Sequence, residues 1–207
     1  MARDHGGEEV SVQVDRLTLD QPAMIVITGA MAAGKSTIAG LLARRFARGV
    51  HIEADVLHGL IVAGRVGVCM PGTPQGEAAR QPRLRLRRMC LPGRSFHEAG
   101  FAVVLDDLTL GDRWEQLREE LLGIPFALIV LAPGVDVLVQ RDAGRSKPSQ
   151  GDAWARYLDD TLRATLFGTG HWIDSANQTP EETVKEILRR LAAGSSGLIP
   201  APPDACP

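Results

Sequence analysis

The sequence predicts an α/β protein built around a parallel sheet, and three features carry that expectation. Apolar runs recur at residues 24–28, 50–54, 101–105, 126–131 and 171–174, and stretches of helical pattern separate them. Apolar residues make up 44% of the chain but aromatics only 4%, so the core has to come from Ala, Leu, Val and Ile, the residues of buried strands covered by helices. A glycine-rich loop joins the first apolar run to the first helix. At 207 residues the chain suits one domain that buries roughly 70% of the surface its unfolded form exposes.

Met24-Ile25-Val26-Ile27-Thr28 is the first strand. The residues after it, Gly29-Ala30-Met31-Ala32-Ala33-Gly34-Lys35-Ser36, follow the pattern G-x-x-x-x-G-K-S and open onto the helical stretch Ile38-Ala39-Gly40-Leu41-Leu42-Ala43. In that strand–loop–helix context the motif is a phosphate-binding P-loop. Gly29 and Gly34 let the backbone turn tightly enough for successive N–H groups to converge on an anion, and the helix adds the positive end of its dipole. Gly29, Ala32, Ala33, Gly34, Lys35, Ser36 and Thr37 are therefore the expected nucleotide contacts. Lys35 would reach the β- and γ-phosphates, and Ser36 would offer its hydroxyl to Mg²⁺. Only three lysines stand against twenty arginines, so a lysine at this place is not a matter of composition.

Residues 1–22 are polar and read as a flexible leader. Gly49 stops the first helix, and Val50-His51-Ile52-Glu53-Ala54 makes a second strand ending at Asp55. A helix is expected over 56–63. The glycines and prolines crowded between Gly64 and Glu77 predict a loop on the substrate side. Residues 78–99 carry a mixed signal, because Arg83-Leu84-Arg85-Leu86-Arg87 alternates like a strand. A parallel sheet needs a crossover here, so a helix is expected, broken or kinked at Pro92-Gly93. On such a helix Arg80, Arg83 and Arg87 would share a face, although a solvated arginine surface is the plainer reading.

Phe101-Ala102-Val103-Val104-Leu105 is a third strand that runs into Asp106-Asp107, and Phe126–Leu131 and His171–Asp174 are the fourth and fifth. Helices are expected over 112–122, 135–143 and 152–166. Thr179-Pro180-Glu181-Glu182 opens a last helix with a cap, an N1 proline and an acidic first turn. From Gly194 onward Gly, Ser and Pro dominate, which predicts a disordered tail. The domain is then residues 23–193, with a lid over about 134–166.

Right-handed crossovers leave ligands at the carboxyl ends of parallel strands, and the candidate residues fall there. Asp106 and Asp107 follow a run of apolar residues, which suits a carboxylate holding Mg²⁺ directly or through water, with Asp106 the preferred member. The plainer alternative is a cap for the next helix. Arg141 and Arg145 lie one helical turn apart and lead into a loop carrying Lys147, an arrangement able to close over a nucleotide and stabilise a transferring phosphoryl group.

A net charge of −2 argues against a general nucleic-acid binder. Cys69, Cys90 and Cys206 have neither disulfide-framework nor zinc spacing, and His51, His58, His97 and His171 show no metal-ligand spacing and read as structural. No signal core and no run of about 18 apolar residues occurs, so a cytoplasmic protein without a membrane partner is expected.

The lack of an N-K-x-D sequence weakens a GTPase reading, and an arginine-bearing segment between the fourth and fifth strands suits a small kinase. Residues 25–37, Glu53-Ala54-Asp55-Val56-Leu57, Val103-Val104-Leu105-Asp106-Asp107 and the arginines at 141 and 145 together resemble the chloramphenicol phosphotransferase-like and related small-molecule kinases of the P-loop superfamily. The resemblance covers roughly residues 23–193. It implies a nucleoside-monophosphate-kinase type of fold with strand order 2-3-1-4-5, ATP and Mg²⁺ as cofactors, and a small-molecule hydroxyl acceptor of an antibiotic-like kind. It also implies that Asp55 orients or deprotonates the acceptor, beside Lys35, Arg141 and Arg145. A shikimate- or gluconate-type metabolite kinase, or a regulatory ATPase, are the alternative expectations. The 64–77 loop and the Pro92-Gly93 pair depart from the family pattern.

Overall fold

The computed structural model of the chain describes residues 23–67, 75–144, 151–193 and 198–199, so the expected leader, Arg145 and Lys147 lie outside the described residues. In chain order the elements are β1 (Met24–Gly29), α1 (Lys35–Ala43), β2 (Gly49–Glu53), α2 (Ala54–Gly59), α3 (Glu77–Glu98), β3 (Ala102–Asp106), α4 (Asp112–Glu120), β4 (Phe126–Leu131), α5 (Val135–Ala143), α6 (Asp152–Leu166), β5 (His171–Ile173), α7 (Pro180–Ala192) and β6 (Leu198–Ile199). Five strands pair in parallel in the order β2-β3-β1-β4-β5, as expected. β1 and β4 are buried along their whole length, which is why their sequences are unbroken apolar runs.

The pleat divides the sheet between two helical layers. Val103 and Leu105 point toward α3, where an added Cβ on Gly93 would lie 3.1 Å from the Leu105 side chain. On the opposite face His51, Glu53 and Asp106, aligned by the β2–β3 register, lie toward α1. α1 packs with α7 on that face, and α3 packs with α4 on the other. Leu42, Leu86, Leu105, Leu117, Leu128 and Ile129 are fully buried between the layers, each contributing about 1.5–3 kcal/mol.

α3 differs from expectation. It runs unbroken through both Pro82 and Pro92. Pro92 frees the carbonyl of Arg88, which lies on an exposed stretch where water can take it up. Gly93 is buried and lets the helix sit close against β3, so the pair marks a packing site within a continuous helix. Arg94 then holds the end of α4, donating from Nη1 to the carbonyls of Glu120 and Leu122 at 3.2 and 2.8 Å. α2 also ends at Gly59, earlier than its pattern suggested.

The C-terminal stretch differs as well. β5 covers only Ile129–Leu131 of the β4 edge, and β6 pairs antiparallel with Phe126 and Ala127 just beyond it. Two apolar residues in an otherwise Gly/Pro-rich segment thus find a free strand edge. At α7 the expected cap is present in full: Thr179 Oγ1 accepts from the Glu182 N–H while Glu182 accepts from the Thr179 N–H. No described helix is long and apolar enough to cross a membrane.

Candidate active site

An open cleft of about 1080 Å³ lies at the carboxyl ends of β1, β2 and β3, between the P-loop, α3, α4 and α6. The P-loop supplies its floor. Gly34 has φ 95°, the left-handed conformation that glycine adopts freely, and an added Cβ on Gly29 would lie 2.6 Å from the Leu131 carbonyl. Ala32 also holds a positive φ of 62°, rare for a residue with a Cβ and typical of functional loops. Lys35 Nζ donates to the Gly29 and Ala30 carbonyls at 3.0 and 3.1 Å. Burial pushes its ammonium below the usual lysine range, against the opposing pull of Asp106, Asp107 and Asp55.

The adjacent carboxylates at the end of β3 go to different places. Asp106 lies in register with Glu53 and Ile27 and faces α1. There Ser36 Oγ donates to Glu53 Oε1 at 3.1 Å and to Asp106 Oδ1 at 3.4 Å, and His51 Nε2 lies 2.6 Å from Asp106 Oδ2. One ligand atom from each of His51, Glu53 and Asp106 falls within 4.8 Å of the others. His51, expected to be structural, therefore belongs to this cluster. His51 and Glu53 are two apart on β2 and so share a face, which was visible as a strand pattern; their meeting with Asp106 depends on the β2–β3 register.

Asp107 points the other way, toward α3. Its Oδ1 accepts from Arg85 Nη2 at 2.6 Å and from the Leu108 N–H at 2.7 Å. Arg85 Nη1 donates to Asp55 Oδ1 at 2.9 Å, so one guanidinium bridges the two carboxylates. The three differ sharply in exposure: 2% for the Asp107 side chain, 12% for Arg85 and 77% for Asp55. Burial raises the Asp107 carboxyl above its ordinary range, opposed first by Arg85 and Arg113. Asp55 stands in the first turn of α2 with its carboxylate in the cleft; the cap position belongs to Glu53.

Arg80 and Arg87 do not enter the cleft. The inward face of α3 is Gln81, Leu86, Met89, Cys90 and Gly93, and that face carries Arg85, with Arg83 on the rim paired to Asp112 at 2.7 Å. Buried Gln81 anchors the loop before α3, accepting from the Val66 N–H at 2.8 Å and donating to the Gly64 carbonyl at 2.7 Å. Cys90 is free, and burial pushes its thiol up to about 12.

On the far side of the P-loop, Arg141 lines the cleft and donates from Nη2 to the Ser175 carbonyl, just past β5, at 2.7 Å. α6 forms the roof. Trp154 Nε1 lies 3.3 Å from Met31 Sδ in the P-loop, Trp154 stacks on Tyr157, and Thr165 Oγ1 accepts from the Gly111 N–H at 3.1 Å. The sequence pattern of α6 marked the helix but not these partners.

A five-stranded parallel sheet in this order with a P-loop after its first strand is a fold that this chain shares with solved kinase structures. No protein-family profile matches the chain. Among curated proteins it is similar to the adenylyl-sulfate kinase of Pseudomonas aeruginosa, with 24% identity over 196 residues covering 91% of this chain and 95% of the relative. Among solved structures, the tunicamycin resistance protein of Deinococcus radiodurans superposes with a TM-score of 0.63 at 19% identity, covering 88% of this chain and 100% of the other. A sugar kinase from Janibacter gives a TM-score of 0.61 at 22% identity, covering 83% and 95%. A gluconokinase from Sinorhizobium meliloti gives 0.57 at 23% identity, covering 83% and 93%.

Proposed function

We propose that the chain is an ATP-dependent kinase that transfers the γ-phosphoryl group to a hydroxyl of a small molecule. The observation that carries this reading is the convergence of the P-loop, the Ser36–Glu53–Asp106 cluster and the exposed carboxylate of Asp55 on one cleft. The kinases similar to it in sequence and fold support the same reading.

The topology supports one assignment of the ends of the cleft. P-loop N–H groups and Lys35 bind the triphosphate, and Arg141, on the β4–β5 side, closes over the nucleotide. Arg145 joins Arg141 in that role as the sequence reading has it. Ser36, Glu53 and Asp106 would hold Mg²⁺, since a hydroxyl and two carboxylates are the hard oxygen donors this ion takes, while His51 orients Asp106. The ion would neutralise charge on the phosphate oxygens. Asp55, on the β2 side, faces the acceptor. It takes the proton of the incoming hydroxyl as the new oxygen–phosphorus bond forms and the bond to the departing ADP breaks, and Arg85 fixes its orientation. An exposed carboxylate set in a cavity beside the phosphate site favours transfer over slow regulatory hydrolysis.

The test is ATP consumption in the presence of Mg²⁺, with and without a panel of hydroxylated small molecules, and detection of the phosphorylated product by mass spectrometry. Consumption that rises only with an acceptor is expected. Hydrolysis at one unchanged rate across the panel would favour a regulatory ATPase.

A further inference from the structure

Apart from the exposed Arg65, the cations that line the cleft among the described residues can be paired off one by one. Lys35 is held by P-loop carbonyls, Arg141 by the Ser175 carbonyl, Arg83 by Asp112 on the rim, and Arg85 by Asp55 and Asp107. Arg113 is different. It stands in the first turn of α4, lines the cleft and is half-buried, yet its guanidinium has no hydrogen bond or ion pair among the described residues. Burial lowers its proton affinity, with Asp107 opposing and the nearby positive charge of Arg85 adding to the effect. Arg85 and Arg113 both line the cleft, and Asp107, which attracts both, already has its Oδ1 engaged by Arg85 and the Leu108 N–H. Its Oδ2 is buried without a partner, and so is Arg85 Nε. A half-buried arginine that lines an open cleft and is bound to no protein group among the described residues is free to take an anion.

We propose that Arg113 is the recognition residue for an oxyanion carried by the acceptor, a carboxylate or a phosphate ester, so that the substrate is a hydroxylated organic anion. This deepens the kinase reading and rests on it for the identity of the reacting end. The wall around Arg113 suits such a molecule: Leu110, Tyr157 and Leu158 offer apolar surface, and Thr161 lines the same side of the cleft. Asp55 is joined to Asp107 through Arg85, and Arg113 lines the same cleft as all three. A planar five-donor guanidinium reads carboxylate or phosphate geometry, which makes arginine rather than lysine the informative residue here.

Calorimetric titration with matched probe pairs tests this directly: gluconate against glucose, glycerate against glycerol, and glycerol 3-phosphate against glycerol. Each is titrated into the protein alone and with Mg²⁺ and a non-hydrolysable ATP analogue. At least one anion is expected to bind about 10- to 100-fold more tightly than its neutral partner, and whether carboxylate or phosphate leads identifies the anion. Arg113→Gln should remove that preference, Arg113→Lys should restore part of it, and affinity for the ATP analogue should stay unchanged in both. In turnover assays the loss should fall mainly on KM for the acceptor. Equal binding within every pair, no binding of any anion, or a preference that survives Arg113→Gln in a folded variant would overturn the proposal. If the ATP analogue binds and the anions bind through Arg113 but no acceptor is ever phosphorylated, the kinase reading fails while the anion site stands.

Discussion

The two ends of the cleft are built in different ways. The proposed phosphate end comes from one contiguous stretch, Gly29 to Thr37, which offers mainly its backbone, with Ser36 meeting carboxylates from two neighbouring strands. The proposed acceptor end is assembled from side chains of α2, α3, α4 and α6 that lie far apart in sequence, and among the described residues Arg85 ties Asp55 to Asp107. Binding a triphosphate is a shared task that local backbone geometry can perform, whereas recognising one acceptor needs side chains brought together by tertiary packing. Changes at the phosphate end should therefore abolish all activity, and changes at the acceptor end should alter which compound is used and how stably the site is held.

The largest effect is expected from Lys35→Ala. It removes the cation proposed to face the β- and γ-phosphates, so acceptor-dependent turnover should fall by about 10³-fold or more with the fold retained, as judged by circular dichroism and steady-state kinetics. Full turnover in a folded variant would separate this loop from the chemistry.

Arg85→Gln probes the other end through stability. It leaves Asp107, almost wholly buried, without its ion-pair partner, and breaking such a pair costs about 3–5 kcal/mol. The pH dependence has a definite sign. The Asp107 carboxyl already titrates above its unfolded value of 3.8, and losing Arg85 raises it further, so the penalty belongs to the ionised form and is relieved as pH falls through that raised value. Denaturant melts should show the variant closest to wild type in mild acid, and a second change, Asp107→Asn, should recover stability at neutral pH. A variant as stable as wild type at pH 7 would mean that the bridge does not hold this wall.

A control away from both ends should show little. In α7, hydrogen bonds from Arg189 and Arg190 pull Glu186 down to about 2 from 4.5. The carboxylate's contribution is therefore complete above its unfolded value and disappears as pH falls from about 4.5 toward about 2. Because the pairs lie at the surface, Glu186→Gln should cost at most about 1 kcal/mol at neutral pH, with the two proteins converging in acid and turnover unaffected.

The same contrast explains what the sequence disclosed. The five parallel strands, the P-loop and the cap of α7 follow from short-range patterns, and each was legible, whereas the strand order came from the family resemblance. His51 and Glu53 were not, because their partner Asp106 is fixed only by the β2–β3 register. Arg85 was hidden inside a run of arginines. The spacing of Leu86, Met89, Cys90 and Gly93 does mark the inward face of α3, but the period-two alternation of Arg83 to Arg87 and the two prolines masked it. The split of Asp106 from Asp107 is a consequence of the pleat, legible once both are placed at the end of a strand. Arg113 and Tyr157 owe their place to the packing of α4 and α6, which no local pattern specifies.

The central claim is that Asp55 works on the acceptor hydroxyl beside a P-loop that holds ATP, and Asp55→Asn tests it most directly. Asparagine is nearly isosteric and keeps an acceptor oxygen for Arg85, but it cannot take a proton. Single-turnover transfer measured with saturating ATP and acceptor should fall at least about 10²-fold, the combined loss of base and orientation, while melting temperature and ATP affinity stay near wild type. Transfer at the wild-type rate in that variant would remove Asp55 from the mechanism and with it this account of the acceptor end.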